Sequence, residues 1–291
     1  MSDFSGFNPY QAPNHLEPEI HQSVGEPQRC PASAGWLWLA EAGRQYGQQP
    51  SRWLALAWLG MGAMFGCQLV LMLIPMIGGL IANLVSTLVM GGMLLASQEL
   101  VEQRRFTPGL LLQGFREPYF ARLLGVGGLY LAGSVAIMLL AMIIALVVFF
   151  IGGGSSLFST DQPSTSEVLT HLTGPLLVAG GVALLLMLPL LMTYFYAPVL
   201  AVCGGLSATA AMKQSFIACA RNWLALSIWS LLLLLLVLLT LLPVLLGSDG
   251  HPGFGLWLLW AVVSGSLLSP LTIASIYLSY RAIFLPTAHG K

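Results

Sequence analysis

Charged side chains are scarce in this chain of 291 residues: they make up 8% of it, whereas hydrophobic residues make up 57%. An ordinary soluble domain carries about 25% charged residues. So few charges could not cover a soluble fold of this length, so the composition predicts an integral membrane protein. The formal net charge is zero. Because the protein has no net positive electrostatic field that would attract nucleic acid, we predict no nucleic-acid partner.

The chain also lacks the motifs of common enzymes and metal sites. It has four cysteines without C-x-x-C spacing and five scattered histidines, so we predict no metal site and no cofactor. G-x-S-x-G, H-E-x-x-H and G-K-[ST] do not occur. We therefore predict no catalytic residue and a protein that is not an enzyme. An intramembrane enzyme is the third and least favoured hypothesis.

Six apolar stretches are long enough to cross a bilayer, for which a helix needs about 20 residues. The predicted spans are about 53–74, 78–97, 123–151, 175–202, 223–246 and 256–283. No Asp, Glu, Lys, Arg or His lies in the central part of any of them. Transporters coupled to protons or sodium usually carry such residues at membrane depth, so their absence argues against a coupled transporter.

All 11 basic residues fall on one side of these spans. They lie in the segment before the first span, in the 98–122 and 204–222 connections and after the last span, whereas the other three connections have none. Short loops rich in Lys and Arg stay in the cytoplasm. The sequence therefore predicts a bacterial inner-membrane protein with both termini cytoplasmic.

The chain divides into three parts by composition. Residues 1–34 are polar and rich in Pro and Gly, which predicts a disordered tail. Within it, Asn8-Pro9-Tyr10 could be a docking motif or a chance turn. Residues 35–285 form the predicted transmembrane domain, and 286–291 form a short tail.

Three connections share a pattern typical of amphipathic helices that lie in the membrane interface. They are 35–48, 107–122 and 208–221, and each leads into a span through an arginine: Arg52, Arg122 or Arg221. Residues 53–56 and 223–226 both read Trp-Leu-Ala-Leu. We predict an all-α membrane protein of three parallel hairpin units, each preceded by a cytoplasmic interfacial helix. The alternative is the general tendency of Arg and Trp to occur at the inner interface.

Two sets of candidate binding residues follow from this topology. Arg52, Arg122, Arg221 and Lys213 are candidates for contact with an anionic lipid headgroup, because basic residues at the cytoplasmic face are attracted to anionic lipids. Gln68, Asn83 and Tyr194 are candidates for lining a cavity, because a polar side chain within a span needs a partner. Close helix packing explains the second set equally well.

Two stretches resemble an uncharacterised family of proteobacterial multi-pass inner-membrane proteins. The first stretch contains Ile74-Pro75, Gly78-Gly79, Gly91-Gly92, Gln98-Glu99, Phe106, Pro108 and Phe115-Arg116. The second contains Phe195-Tyr196-Ala197-Pro198, Lys213, Ser215-Phe216 and Arg221-Asn222. The likeness covers roughly residues 35–240. Family members often have Arg-Glu where this chain has Gln98-Glu99, and His where it has Tyr196. The resemblance implies six helices and an inner membrane, and no activity.

We expect a non-enzymatic scaffold or accessory protein whose partners are membrane lipids and a membrane protein or a second copy. The alternative is a permease or lipid-handling transporter for an uncharged or amphipathic solute. A scaffold predicts a dry, closely packed interior, whereas a permease predicts water that reaches Gln68, Asn83 or Tyr194.

Overall fold

The computed structural model describes residues 24–74, 77–158, 164–246 and 253–285. Asn8-Pro9-Tyr10 and the tail 286–291 lie outside these ranges. The described residues form α-helices and two short 3-10 segments, 108–115 and 154–158, and contain no strand. The helices are α1 (Ala34–Gln48), α2 (Pro50–Met72), α3 (Gly78–Gln103), α4 (Tyr119–Ile151), α5 (Thr165–Phe195), α6 (Ala197–Val202), α7 (Ala208–Arg221), α8 (Trp223–Leu246) and α9 (Phe254–Phe284).

Six helical segments in the described part of the chain are long and apolar enough to cross a membrane. They are α2, α3, α4, α5 with α6, α8 and α9, and each matches one predicted span. A helix satisfies its backbone hydrogen bonds internally, which hydrocarbon demands of any spanning segment. The predicted all-helical class and the six spans are confirmed.

Two helices begin or end at residues other than those expected from the sequence, each for a local reason. The predicted interfacial helix 107–122 is a 3-10 segment over 108–115, followed by α4 from Tyr119. Pro118 lacks an amide proton and disfavours one continuous helix there. The helix that carries the fourth span begins ten residues before the predicted 175, because Ser164 and Glu167 form a capping box that starts α5 in a polar stretch.

Successive spanning helices pack as neighbours: α2 against α3, α4 against α5, and α8 against α9. Helix α3 also contacts α4, and α9 contacts α2 and α3. Helices α7 and α1 each pack on a pair of spans other than the one they precede, whereas the 108–115 segment packs mainly on α3 and also contacts α4. The segment 108–115 lies on α3, α7 lies on α4 and α5, and α1 lies on α8 and α9.

The buried core lies at one end of the bundle, which we call the basic end because Arg52, Arg122, Arg221 and Arg281 lie there. Helix α6 is buried along its whole length, and Tyr277, Tyr280 and Phe284 of α9 are fully buried beside it. Towards the opposite end the spans expose large apolar side chains, for example Met138 and Leu177. The bundle is therefore closely packed at the basic end and open to hydrocarbon further along.

Candidate lipid grooves and the basic end

Two of the arginines predicted to contact a lipid headgroup donate hydrogen bonds to backbone carbonyls. Arg52 donates to Gln49 Oε1 at 2.7 Å and also to the carbonyl of Arg104, the residue that caps α3. Arg221 donates to the Pro27 carbonyl at 3.0 Å. Arg52 and Arg221 thus join separate segments of the basic end, while both side chains stay exposed.

The other two predicted headgroup residues differ in exposure. Lys213 is exposed on α7, whereas Arg122 is partly buried at the start of α4. The role of all four residues in lipid binding stays a prediction.

Residues 24–33 lie along the basic end and are held there by hydrogen bonds, unlike the disordered tail predicted for them. Asn222 is buried, accepts from the Cys30 amide at 2.7 Å and donates to the Gln28 carbonyl at 2.9 Å. The amide of Gly25 donates to the Phe284 carbonyl at 3.0 Å. One asparagine side chain therefore joins this segment to the start of α8, beside the end of α9.

A cluster of polar side chains lies within the basic end. The Tyr277 hydroxyl donates to Glu102 Oε1 at 2.5 Å and so joins α9 to the end of α3. Tyr196 donates to the Ser279 hydroxyl at 3.0 Å, and both residues are buried. These bonds satisfy buried polar groups and fix the helix ends, which accounts for them without a ligand.

The predicted cavity residues separate into two places. Gln68 is exposed on α2. Tyr194 forms a 3.0 Å hydrogen bond with Thr87 and packs on Tyr130, with ring centroids 4.4 Å apart. Thr87 lies one turn from Asn83 and bonds its carbonyl, and Asn83 Oδ1 is buried without a partner among the described residues. Asn83 and Tyr194 are thus linked through Thr87, where α3, α4 and α5 meet.

The four cysteines are free thiols in the folded protein; Cys203 and Cys219 are buried, and Cys30 and Cys67 are partly buried. Burial raises the pKa of the Cys30 and Cys203 thiols, with the carboxylate of Glu102 adding to the effect at Cys203. Burial raises the pKa of Cys219 to about 12. Thiols of this kind are poor nucleophiles and poor metal ligands. No group of three His, Cys, Asp or Glu suited to a metal ion occurs in the described ranges.

Three grooves open on the sides of the bundle. The first, which we call the α5–α8 groove, has a volume of about 530 Å³ and lies between α5, α8 and the end of α7. Its walls include Leu191 and Phe195 on one side and Leu231 on the other, with Cys219 and Trp223 at the basic end. A second groove lies between α2, α3, α8 and α9, and a third between α4 and α5 beside Leu80.

Sequence reasoning missed the grooves and the residues that line them. The first two grooves are formed by helices far apart in the chain, and the apolar walls of all three look like any membrane-spanning stretch. Trp223 can be predicted as an interfacial tryptophan, but nothing in the sequence indicates that α5 lies across a groove from it.

Comparison with known proteins points the same way as the fold. The chain is 24% identical over 261 residues to a Burkholderia thailandensis protein named probable inner membrane protein, and the match covers 87% of this chain and 92% of that relative. No family model matches the chain, and no solved structure matches it. The predicted resemblance to an uncharacterised proteobacterial inner-membrane protein is confirmed by this relative. Together with the six helices able to span a membrane, it supports a multi-pass inner-membrane protein.

Proposed function

We propose that this protein binds an anionic phospholipid of the cytoplasmic leaflet in the α5–α8 groove and acts as a non-enzymatic accessory or scaffold component of the inner membrane. In this proposal the basic end faces the cytoplasm, as the distribution of Lys and Arg predicts. The observation that supports the proposal is the groove itself, which has apolar walls, begins beside basic residues and continues along the spans.

The length of the groove suits one acyl chain. Along α8 it extends from Trp223 to Leu234, and eleven residues of helix rise about 17 Å. Half of the hydrocarbon core of a bilayer is about 15 Å thick. A chain that enters beside Trp223 would therefore reach the middle of the membrane within the groove.

Charge at the entrance favours an anionic headgroup. Arg221 precedes Trp223 by two residues, and Lys213 lies on α7, which also carries Cys219 of the groove wall. Each basic residue near an anionic leaflet contributes about 1 kcal/mol of attraction. Trp223 is exposed at the same level, as is usual for tryptophan at a membrane interface.

The experiment that tests this proposal fills the groove and measures the lipid that copurifies. Ser230 lines the groove, so Ser230→Trp should reduce copurified phosphatidylglycerol severalfold in mass spectra of the purified protein. Leu238→Trp, at a 51% exposed position further along α8, is the matched control and should leave the lipid in place. Equal lipid content in the two variants would sink the proposal.

A second pair of variants tests the headgroup contact. Replacing Arg221 and Lys213 together by Gln should weaken phosphatidylglycerol binding while neutral phosphatidylcholine binds as before. Arg116→Gln, which removes an exposed charge after the 108–115 segment, should change neither. Loss of both lipids in the double variant would mean a folding defect rather than a lost headgroup contact.

The arrangement of the short segments supports a threefold repeat and a structural role. Each segment bridges two pairs of spans, because it precedes one pair and packs on at least one helix of another. Helix α1 closes the series by packing on α8 and α9. Such a bundle could present its outer faces to a partner membrane protein or to a second copy.

One observation favours the alternative of a permease for an uncharged or amphipathic solute. Asn83 Oδ1 is a buried acceptor without a partner among the described residues, beside Thr87 and Tyr194. Single cysteines at positions 68, 83, 194 and 269 would test it with a membrane-impermeant thiol reagent. Labelling at 83 and 194 would favour an aqueous pathway, and protection there would favour the closed bundle.

A further inference from the structure

The groove between α2, α3, α8 and α9 differs from the other grooves in its walls. We call it the methionine groove, because methionines from α2 and α3 line one side of a space of about 400 Å³: Met61, Met64, Met90 and Met93. Trp260, Ser264, Ser269 and Thr272 of α9 line the other side. Methionine side chains are flexible and polarisable, and they adapt to apolar ligands of varied shape.

One donor in this groove has no acceptor. The indole Nε1 of Trp260 is buried and makes no hydrogen bond to the described residues. A buried tryptophan N–H usually finds a partner, and leaving it unsatisfied is costly. The fold therefore holds a hydrogen-bond donor inside an apolar groove.

None of the hydroxyl groups that line this groove accepts a hydrogen bond from the indole N–H, and their own protons are already donated to backbone carbonyls. Ser264 donates to the Trp260 carbonyl at 2.6 Å, and Thr272 donates to the Leu268 carbonyl at 2.8 Å. Ser269 likewise donates to the carbonyl of Gly265. Since these protons bond within α9, the indole N–H is the donor left for a ligand, and that ligand must supply an acceptor.

The depth of Trp260 narrows the choice of acceptor. Helix α9 has 31 residues, about 46 Å at 1.5 Å per residue, against a hydrocarbon core of about 30 Å. With α9 centred in the bilayer, about 8 Å at each end lies at the level of the headgroups and ester groups. Trp260 is six residues from the start of α9, about 9 Å, so its N–H lies where lipid ester carbonyls end and hydrocarbon begins.

We infer that the methionine groove binds a long apolar molecule whose carbonyl oxygen accepts a hydrogen bond from Trp260 Nε1. From Trp260 to Ile273 the groove follows α9 for thirteen residues, about 20 Å, which is enough for an extended hydrocarbon chain. An ester-linked phospholipid of the leaflet away from the basic end and an isoprenoid quinone share this chemistry. The site is distinct from the α5–α8 groove, because the two grooves share no lining residue.

The test uses the full chain in nanodiscs of ether-linked phosphatidylcholine, which has no ester carbonyl. A phosphatidylethanolamine with a photoactivatable diazirine on one acyl chain is added in its diester or its diether form. In the wild-type protein the diester probe should label peptides of α2 or α9 about fivefold more than the diether probe, as expected for one neutral hydrogen bond.

Trp260→Phe keeps an aromatic ring but removes the indole N–H donor, so it should abolish the preference for the diester probe. Trp257→Phe is the matched control, because Trp257 contacts the Trp260 ring at a centroid distance of 5.8 Å and is 41% exposed. It should keep the preference. A preference that survives in Trp260→Phe would overturn the proposal.

A second pair of variants tests whether the probe occupies the methionine groove, independently of the hydrogen bond from Trp260. A Cβ at Gly265 would meet only Met61 Cε, at 3.5 Å, so Gly265→Leu should fill the groove and reduce labelling by both probes. Gly62→Leu, where a Cβ has nothing within 4 Å, should leave labelling unchanged. Labelling that Gly265→Leu does not reduce would overturn the proposed site.

Competition then separates the two sources of the carbonyl. A long-chain ubiquinone that displaces the diester probe from the wild-type protein, but not from Trp260→Phe, would identify the ligand as a quinone. Displacement by unlabelled diester phospholipid alone would identify it as a lipid. Displacement by neither would contradict the proposal.

Discussion

The hydroxyl of Ser215 on α7 is inserted next to Tyr196, where helix α5 ends. Ser215 Oγ accepts a hydrogen bond from the Tyr196 amide at 2.9 Å and donates one to the Met192 carbonyl at 2.7 Å. In a regular helix the Tyr196 amide would bond the Met192 carbonyl directly, four residues earlier. One side chain thus bridges an interrupted turn and fixes α7 against the break between α5 and α6.

Replacing Ser215 by Ala should destabilise the protein by about 1–3 kcal/mol, because two buried backbone groups lose their partner. The midpoint of thermal unfolding in detergent should fall by several degrees. Ser227→Ala is a suitable control, since Ser227 is exposed and its hydroxyl bonds the Trp223 carbonyl within α8. Equal midpoints for the two variants would show that α5 closes the turn without the serine.

The sequence predicted those features that depend on local composition. Six spans follow from apolar runs, and the segments 34–48 and 208–221 are helical as expected. The start of α5 was missed because a capping box, rather than hydropathy, begins it. The Ser215 bridge, the α5–α8 groove and the methionine groove could not be predicted, because each depends on how separate helices pack in the fold.

A methyl group at Gly35 should displace α1 from the bundle. A Cβ there would lie 2.2 Å from the Ala225 carbonyl oxygen and 2.9 Å from the Trp229 amide nitrogen, so α1 and α8 meet backbone to backbone. We expect Gly35→Ala to cost about 1–3 kcal/mol, typical of overpacking. Unfolding midpoints measured in the same detergent would check this.

Gly47→Ala is the matched control for that change. Gly47 lies in the same helix, and a Cβ there meets nothing within 4 Å, so alanine should be neutral or slightly stabilising because it favours the helix. If both alanine variants unfold at the same temperature, α1 does not depend on close contact with α8.

The side chain of Asn222 should protect the backbone amides of residues 24–33 from hydrogen exchange. Asn222→Ala removes the bonds to the Cys30 amide and the Gln28 carbonyl, and their loss should speed amide hydrogen exchange in this segment roughly tenfold. The six spans should keep their protection. Gln45→Ala removes an amide that bonds Glu41 within α1 and should leave exchange in 24–33 unchanged.

The thiol of Cys219 should react slowly in the folded protein and make stability fall at high pH. Burial raises its pKa from the ordinary 9.0 to about 12. At pH 8 this lowers the reactive thiolate fraction about a thousandfold relative to the unfolded chain. A variant that keeps only Cys219 should therefore react with a small thiol reagent mainly after unfolding.

The sign of the pH effect on stability follows from the same shift. Between pH 9 and pH 12 the unfolded chain loses the Cys219 proton while the folded protein keeps it, so the free energy of unfolding decreases as pH rises through this window. Cys219→Ala removes this contribution, and its stability should fall less steeply above pH 9 than that of the wild type. Parallel curves for the two proteins would show that the thiol ionises as readily in the folded protein as in the unfolded chain.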